Sequence, residues 1–298
     1  MNGASAISAS DFVPRIAHRR RFGRVFEWTC TVLSFVGIAF LAVLILRVLW
    51  EGLTWVTPKF LMNFPSVLSP EDAGIKSALW GTLWLMAITT LVAVPVGVAG
   101  AVYLEEYAPH NRLSRFIHFN ITNLAGVPSI VYGILGLAVF VRWWRLDRSV
   151  LSGGLILTLL VLPVIIIASR EALLAVPKSM REAAYALGAT RWQTVRTHVL
   201  PVALPGIMTG IILAVSRAIG EAAPLITIGA LTYVAFVPSS PLDPFTALPI
   251  QIYDWSDRPQ AEFHHLAAAG IIVLLGILLP LNAVAVVVRA WQQSKKAW

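Results

Sequence analysis

Long apolar runs constrain this chain more than any other feature of its sequence. A helix needs about 20 mostly apolar residues to cross the hydrocarbon core of a bilayer. Six runs reach that length: residues 28–50, 77–104, 119–141, 149–169, 202–233 and 266–288. The mean hydropathy is +0.75 and only 13% of the residues are charged, which is unusual for a soluble domain. The runs therefore predict an all-α, polytopic membrane protein with six transmembrane helices.

Several runs contain prolines, namely Pro95, Pro128, Pro163, Pro205 and Pro224. A proline inside a helix removes a backbone hydrogen bond. In a membrane bundle, neighbouring helices can satisfy the backbone groups that this frees. The sequence therefore predicts kinked spans and not additional loops.

Basic residues predict the orientation, because cytoplasmic loops of membrane proteins carry an excess of Lys and Arg. Five arginines precede the first run, four of them within ten residues of it, and the segment between the fourth and fifth runs is also basic. We predict that residues 1–27 form a cytoplasmic segment, that residues 28–298 form the transmembrane domain, and that both termini are cytoplasmic. The outer loop at residues 142–148, with three arginines, goes against this rule.

Residues 170–201 form a polar, basic interruption that crossing a bilayer does not require. Pro177 suits the first turn of a helix. Met180, Ala184 and Leu187 then lie on one helical face. The pattern predicts a short amphipathic helix.

A second short helix is predicted directly after the first. Gly188 suits the left-handed position that ends a helix, and Thr190 can cap the next one. Such a pair of helices either lies on the lipid surface or inserts into an apolar groove of a partner.

The same segment resembles the EAA loop of ABC-transporter permease subunits. The matching residues are Glu182, Ala183, Ala184, Gly188, Leu200 and Pro201. One position that is usually aliphatic in that loop is His198 here, although the spacing is intact. In that family the loop contains the coupling helix, which docks into a groove of an ATPase subunit. The resemblance implies this role for Glu182, Ala183, Ala184 and Gly188.

Three further stretches resemble the permease subunits of phosphate transport systems, the PstA family. They are NLAGVPSIVYGIL (residues 123–135), SRAIGEAAPLI (216–226), and LPIQIYDW followed by EFHHLAAAGIIVLL (248–275). The resemblance implies a type I, MetI-like ABC importer bundle with a cytoplasmic coupling helix, embedded in the inner membrane and carrying inorganic phosphate. It also implies a PstC-like sister permease, two PstB-like ATPase subunits that hold ATP and Mg, and an extracytoplasmic PstS-like binding protein.

Arg217 and Glu221 interrupt the fifth run four residues apart and are expected on one helical face. An Arg near the bilayer centre costs at least about 2.5–3.5 kcal/mol, so it is expected to face the bundle interior or water and to have a partner. The pair is either an ion pair that locks helix packing or an anion site, because a guanidinium matches phosphate oxygens bidentately. The family resemblance implies the substrate path. Ser129, beside Pro128, is a weaker candidate, since serines in membrane helices commonly bond their own backbone.

Other classes of function lack their motifs in this sequence. No Gly-Lys dipeptide is present, so the phosphate-binding loop of ATPases is missing and ATP hydrolysis is expected from partner subunits. The single Cys30 and the histidine spacing predict neither a metal site nor a bound cofactor, and the chain is not expected to be an enzyme. The net charge of +8 is spread beside the apolar runs, which fits membrane lipid better than nucleic acid.

Two alternatives stay open from the residues themselves. A permease of the same architecture could carry another oxyanion, such as molybdate or sulfate. A membrane sensor or scaffold without transport activity could use residues 170–205 to bind a signalling protein.

Overall fold

The computed structural model describes residues 13–109, 111–230 and 233–294, and its regular structure there is helical apart from one isolated bridge between Ser149 and Pro244. The helices are α1 (Val13–Gly52), α2 (Pro58–Met62), α3 (Lys76–Val102), α4 (Arg112–Ala125), α5 (Ser129–Gly136), α6 (Val150–Leu174), α7 (Lys178–Ala186), α8 (Arg191–Thr194), α9 (Leu200–Ile219), α10 (Ala223–Thr227), α11 (Leu248–Ser256) and α12 (Ala261–Ser294). Short 3-10 turns are Leu53–Trp55 and Pro70–Asp72, and wide π-helical turns are Tyr103–Tyr107, Leu137–Trp143 and Val195–Val199.

Five helical segments are long and apolar enough to cross a membrane, and they match five of the six predicted runs. They are Phe22–Trp55, Lys76–Tyr107, Val150–Leu174, Arg191–Ile219 and Ala261–Val284. The third run is different, because α4 and the helix that begins with α5 are bent by 105°. Together they form the sixth candidate span.

The prediction of a simple kink at Pro128 was therefore wrong. Gly126 ends α4 and Pro128 precedes the first turn of α5, so the chain breaks completely between them. The physical reason is local: a residue before proline, here Val127, is pushed away from helical backbone angles.

The fifth predicted span, residues 202–233, was also wrong in its bounds. α9 ends at Ile219 and only the short α10 follows. In the other direction, α8, the wide turn and α9 form one uninterrupted helix, Arg191–Ile219, of 29 residues. We call Arg191–Ile219 the rod.

The chain divides into two compact units, Met1–Trp50 and Glu51–Trp298. The described part of the first unit is α1, which begins at Val13, within the predicted segment 1–27. Its apolar side chains, such as Phe35 and Leu41, are exposed. Residues 1–12 and 295–298, and with them both predicted cytoplasmic termini, lie outside the described residues.

Helices α3, α6 and α9 form the centre of the second unit. Small residues let them approach closely: a Cβ atom at Gly97 of α3 would collide with Ile165 of α6, and one at Gly210 of α9 would collide with Ala168. Ile165 is itself fully buried. Close packing through small residues is a main source of helix association in lipid, where apolar side chains gain nothing by leaving water.

The irregular segment 233–247 lies against the start of α6, at the end of that helix remote from α7. The Val150 N–H donates to the Asp243 carbonyl at 3.0 Å, and the Leu151 N–H donates to the Pro241 carbonyl at 2.8 Å. These bonds satisfy donors that the first turn of a helix leaves free. The Asp243 carboxylate accepts hydrogen bonds from the N–H groups of Ser240 and Ser239, which lower its pKa.

A buried hydrogen bond joins α11 to α3. The Leu248 N–H donates to Thr82 Oγ1 at 2.9 Å, and the Thr82 hydroxyl donates to the Ala78 carbonyl at 2.8 Å. Both Thr82 and Leu248 are buried. The threonine hydroxyl therefore supplies the acceptor for an amide that bulk water does not reach.

Replacing Thr82 with Val keeps the shape of the side chain but leaves the Leu248 N–H without its acceptor. We expect the free energy of unfolding in detergent to fall by about 1–3 kcal/mol, the penalty for an unsatisfied buried donor. Thr158→Val is the matched control, because Thr158 is also buried but bonds only a carbonyl of its own helix. Equal losses in the two variants would contradict this role of Thr82.

Candidate coupling segment and anion site

The polar interruption begins later than the sequence predicts. α6 continues to Leu174, so Arg170 belongs to that helix and not to the loop. α7 starts at Lys178, and Pro177 precedes its first turn instead of lying within it. The predicted amphipathic helix is nevertheless present as α7, which we call the coupling helix.

The turn after the coupling helix agrees with its predicted chemistry. Gly188 has a φ of +82°, which is the left-handed conformation that glycine adopts most readily. Thr190 and Gln193 form a reciprocal capping box at the start of α8. α8 is not a separate short helix as predicted, because it continues directly into α9 as the start of the rod.

The coupling helix has one face on the bundle and one in solvent. Ala184 is buried and Met180 is partly buried against the core, whereas Glu182 and Ala183 are exposed. Leu187 is 89% exposed and follows Ala186, the last residue of the helix. The left-handed Gly188 then turns the chain towards α8.

Three exposed side chains surround that turn: Tyr185, Leu187 and Trp192. They are exposed apolar side chains on an otherwise polar segment. Such side chains suit an apolar groove on a partner, since exposed aromatic and aliphatic groups commonly provide the binding energy of an interface.

Arg217 lies in the last turn of α9, and Glu221 follows just after Gly220, which ends the helix. The Arg217 Nε–H donates to Glu221 Oε1 at 3.3 Å. The predicted pairing is therefore present, but at the end of a helix and not in the middle of a continuous span.

This ion pair leaves much of the guanidinium available. The Arg217 side chain is 47% exposed and the Glu221 side chain 19%. Within the part of the chain that the structure describes, the two terminal amino groups of Arg217 donate no hydrogen bond. The half of the guanidinium that could hold two oxygens of an oxyanion is thus free, while Glu221 fixes the other half.

The two interrupted helices meet beside Arg217. Gly133 of α5 contacts Pro224 and Thr227 of α10 so closely that a Cβ atom would not fit. Pro224 and Thr227 closely follow the Arg217–Glu221 pair along the chain, and Tyr132 directly precedes Gly133. Non-helical backbone at membrane depth is tolerated where it is buried in protein or lines a polar cavity, and paired interruptions of this kind are typical of transport sites.

Tyr132 also holds the break between α4 and α5 together. Its hydroxyl donates to the Leu124 carbonyl at 2.7 Å, which satisfies an acceptor near the end of α4. Ser129 is the first residue of α5 and is partly exposed. Among the described residues its hydroxyl has no hydrogen-bond partner, so the expected bond to its own helix is not formed.

Sequence reasoning missed two polar side chains near this site. One is Tyr132, and its position four residues after Pro128 was the available signal. The other is Asn282, whose Oδ1 accepts a hydrogen bond from the Ser216 hydroxyl at 2.7 Å and so links α12 to α9 beside Arg217. A lone amide in an apolar run is itself a signal, because such residues are rare inside membranes.

Metal binding has no support in the described residues, where no group of three or more His, Cys, Asp and Glu side chains could hold an ion. The site contains the Arg217 guanidinium, the Glu221 carboxylate and, at the break between α4 and α5, the first turn of α5. The guanidinium and the first turn of a helix favour an anion, whereas the carboxylate does not.

Comparison with known proteins gives consistent results. The family described as "Binding-protein-dependent transport system inner membrane component" matches residues 93–297. The probable ABC transporter permease protein YqgI of Bacillus subtilis is 34% identical over 247 residues, which cover 79% of this chain and 84% of that protein. The phosphate transport system permease protein PstA 1 of Mycobacterium tuberculosis is 33% identical over 272 residues, which cover 89% of this chain and 86% of that protein.

Among solved structures, the fold is similar to that of the inward-facing MetNI methionine ABC transporter. The TM-score is 0.61 and the identity 20%, over 72% of this chain and 94% of the other. The predicted MetI-like permease fold and the resemblance to PstA subunits are both confirmed. The chain belongs to the family of binding-protein-dependent transport system inner membrane components, the multi-pass inner-membrane permease components of ABC transporters.

Proposed function

We propose that this chain is the permease subunit of an ATP-driven importer of inorganic phosphate. The observation that carries the proposal is Arg217, whose two terminal amino groups are free beside the paired helix breaks. Several relatives of this family are named as phosphate transport permeases, which supports the choice of anion.

The geometry around Arg217 suits passage better than storage. A guanidinium binds phosphate oxygens through parallel hydrogen bonds. Glu221 accepts the Arg217 Nε–H and so orients the guanidinium. Its negative charge repels a phosphate dianion nearby. If the phosphate is protonated, Glu221 can instead accept a hydrogen bond from the phosphate hydroxyl. Conduction requires a site that is favourable enough to enter and weak enough to leave.

The two helix breaks supply further groups for an anion. Ser129 offers a hydroxyl at the first residue of α5, and the first turn of a helix favours negative charge through its free N–H groups. Tyr132 stays bonded to the Leu124 carbonyl and therefore supports the shape of the break instead of donating to the substrate.

The exposed surfaces are compatible with the partners of an ABC importer. The exposed apolar side chains of Tyr185, Leu187 and Trp192 would enter the groove of a PstB-like ATPase subunit, one of two that hold ATP and Mg. A PstC-like permease would complete the path, and a PstS-like binding protein would deliver phosphate outside. This arrangement places the coupling helix and both termini in the cytoplasm.

The rod gives a direct mechanical route from ATPase to substrate. It begins at Arg191, directly after the N-cap residue Thr190 and close to the coupling helix, and it ends at Ile219, two residues after Arg217. Arg191 and Arg217 are separated by about 40 Å along such a helix at ~1.5 Å per residue. Movement of the coupling helix would shift Arg217 and so change access to the anion.

Arg217→Gln removes the charge and the fork, and we expect phosphate uptake by the reconstituted complex to fall about 10- to 100-fold, the loss of one charge-assisted interaction or more. Arg217→Lys keeps the positive charge but not the planar guanidinium, so its phosphate uptake is expected to lie between those of wild type and Arg217→Gln. Arg258→Gln is the matched control, because Arg258 forms an ion pair of the same spacing with Asp254. Normal uptake by Arg217→Gln, in a complex that still contains its ATPase subunits, would refute the site.

Competition tests the identity of the anion. A tenfold excess of sulfate or molybdate is expected to leave phosphate uptake unchanged. Strong inhibition by either would instead favour a permease for that oxyanion, and the absence of any ATP-dependent flux would favour a sensor or scaffold.

Gly188 tests the coupling segment. Gly188→Ala puts a Cβ atom on a left-handed residue, which costs about 1–2 kcal/mol although the surrounding space is open. We expect the affinity for the ATPase subunit in nanodiscs to fall about 5- to 30-fold, the equivalent of that energy. Gly188→Asn tolerates the conformation and should bind nearly as wild type does. Wild-type affinity of the Ala variant would show that the turn is not needed.

A further inference from the structure

Arg181 of the coupling helix makes more hydrogen bonds than its position in a solvent-facing segment requires. Its Nη2–H donates to Glu106 Oε1 at 2.6 Å and to the Leu173 carbonyl at 3.0 Å. Its Nη1–H donates to the Val176 carbonyl at 2.9 Å, and its Nε–H to Glu106 Oε1 at 3.1 Å. One guanidinium therefore bonds three separate acceptors.

The ion pair is largely removed from solvent. The side chain of Arg181 is 17% exposed and that of Glu106 only 5%. An exposed pair of this kind would contribute little, because water and salt screen it. A buried pair holds one geometry, and removing either partner leaves an uncompensated charge.

The acceptors belong to two membrane helices. Glu106 lies on the wide π-helical turn at the end of α3, whereas Leu173 lies in the last turn of α6 and Val176 just beyond it. α3 and α6 are already packed closely along their length, as the contact between Gly97 and Ile165 shows. Arg181 thus attaches the coupling helix to a closely packed pair of helices.

The neighbouring carboxylate provides a useful contrast. Glu105 accepts a hydrogen bond from Arg170 Nε–H at 3.0 Å, and that side-chain pair is also partly buried. Arg170 is a residue of α6, so the pair links α3 to α6 without reaching the coupling helix. The two adjacent carboxylates thus bind different helices: Glu105 binds an arginine of α6, whereas Glu106 binds an arginine of α7.

The connections of α7 along the chain are short turns, at residues 175–177 and 187–190. The second turn leads into the rod and hence to Arg217. The first leads back to α6, and here the guanidinium of Arg181 bonds the Leu173 carbonyl before the turn and the Val176 carbonyl within it. The coupling helix is therefore connected to the bundle in two ways: through the turn at Gly188 to α9, and through the hydrogen bonds of Arg181 to α3 and α6.

We propose that Arg181 is a positioning residue that transmits displacement of the coupling helix to α3 and α6, so that its loss uncouples ATP hydrolysis from transport. The proposal rests on the proposed function, since it requires an ATP-driven importer. A purely structural role, in which Arg181 only neutralises the buried Glu106, makes a different prediction and can be tested separately.

The test compares Arg181→Gln, Glu106→Gln and the double variant Arg181→Gln/Glu106→Gln in the complete complex reconstituted in liposomes. The measured quantity is the amount of phosphate imported per ATP hydrolysed. In the double variant no buried charge is left unpaired, so assembly and ATP hydrolysis are expected to stay within about twofold of wild type. We expect phosphate imported per ATP to fall at least tenfold in the double variant, because the link to α3 and α6 is still missing.

Arg170→Gln is the matched control, because it breaks a similarly buried pair at the same end of α3 without touching the coupling helix. Its ratio of phosphate to ATP is expected to equal that of wild type. Arg181→Lys keeps the charge but cannot reach all three acceptors, and its ratio should fall between those of wild type and the double variant.

Three results would overturn the proposal. A wild-type ratio in the double variant would show that Arg181 only neutralises Glu106. Loss of the ATPase subunits from the double variant and from Arg181→Lys would make Arg181 a docking determinant instead. An equal loss of coupling in Arg170→Gln would assign the effect to the end of α3 in general. If the wild-type complex imports no phosphate, the proposed function fails first and this inference fails with it.

Discussion

The fold depends on one constraint: inside a bilayer, every backbone N–H and C=O group needs a partner within the protein. The described chain meets it almost everywhere with helices, and the exceptions are informative. At the break between α4 and α5 the Leu124 carbonyl accepts a hydrogen bond from the Tyr132 hydroxyl, and the break after α9 lies beside it. The second break directly follows the ion pair of Arg217 and Glu221.

Much of this could be predicted from sequence, because hydropathy reports directly on the bilayer. Five of six spans, the left-handed Gly188, the capped Thr190 and the pairing of Arg217 with Glu221 all follow from local chemistry. The failures have a common cause. Proline and glycine in an apolar run are compatible with either a kink or a break, and packing against other helices decides between them. Helical periodicity also does not show where a helix ends, and Leu187 lies just after the last residue of α7.

The long-range contacts could not be predicted at all. Glu106 and Arg181 are far apart in sequence and each is unremarkable as a charged residue near a helix end. Only the folded chain brings them together under the last turn of α6. The same is true of Ser216 and Asn282. These contacts join the coupling helix and the rod to the rest of the bundle. A sequence motif therefore identifies the coupling helix, whereas contacts between distant residues determine which helices it is attached to.

In the proposed function this permease couples ATP hydrolysis to the passage of phosphate. Reconstituting it in liposomes with the candidate sister permease, ATPase and binding protein allows ATP hydrolysis and phosphate accumulation to be measured together. We expect phosphate-loaded binding protein to stimulate ATP hydrolysis, and phosphate to accumulate only while ATP is present. ATP hydrolysis that does not respond to phosphate, with no accumulation inside the liposomes, would contradict the proposed function.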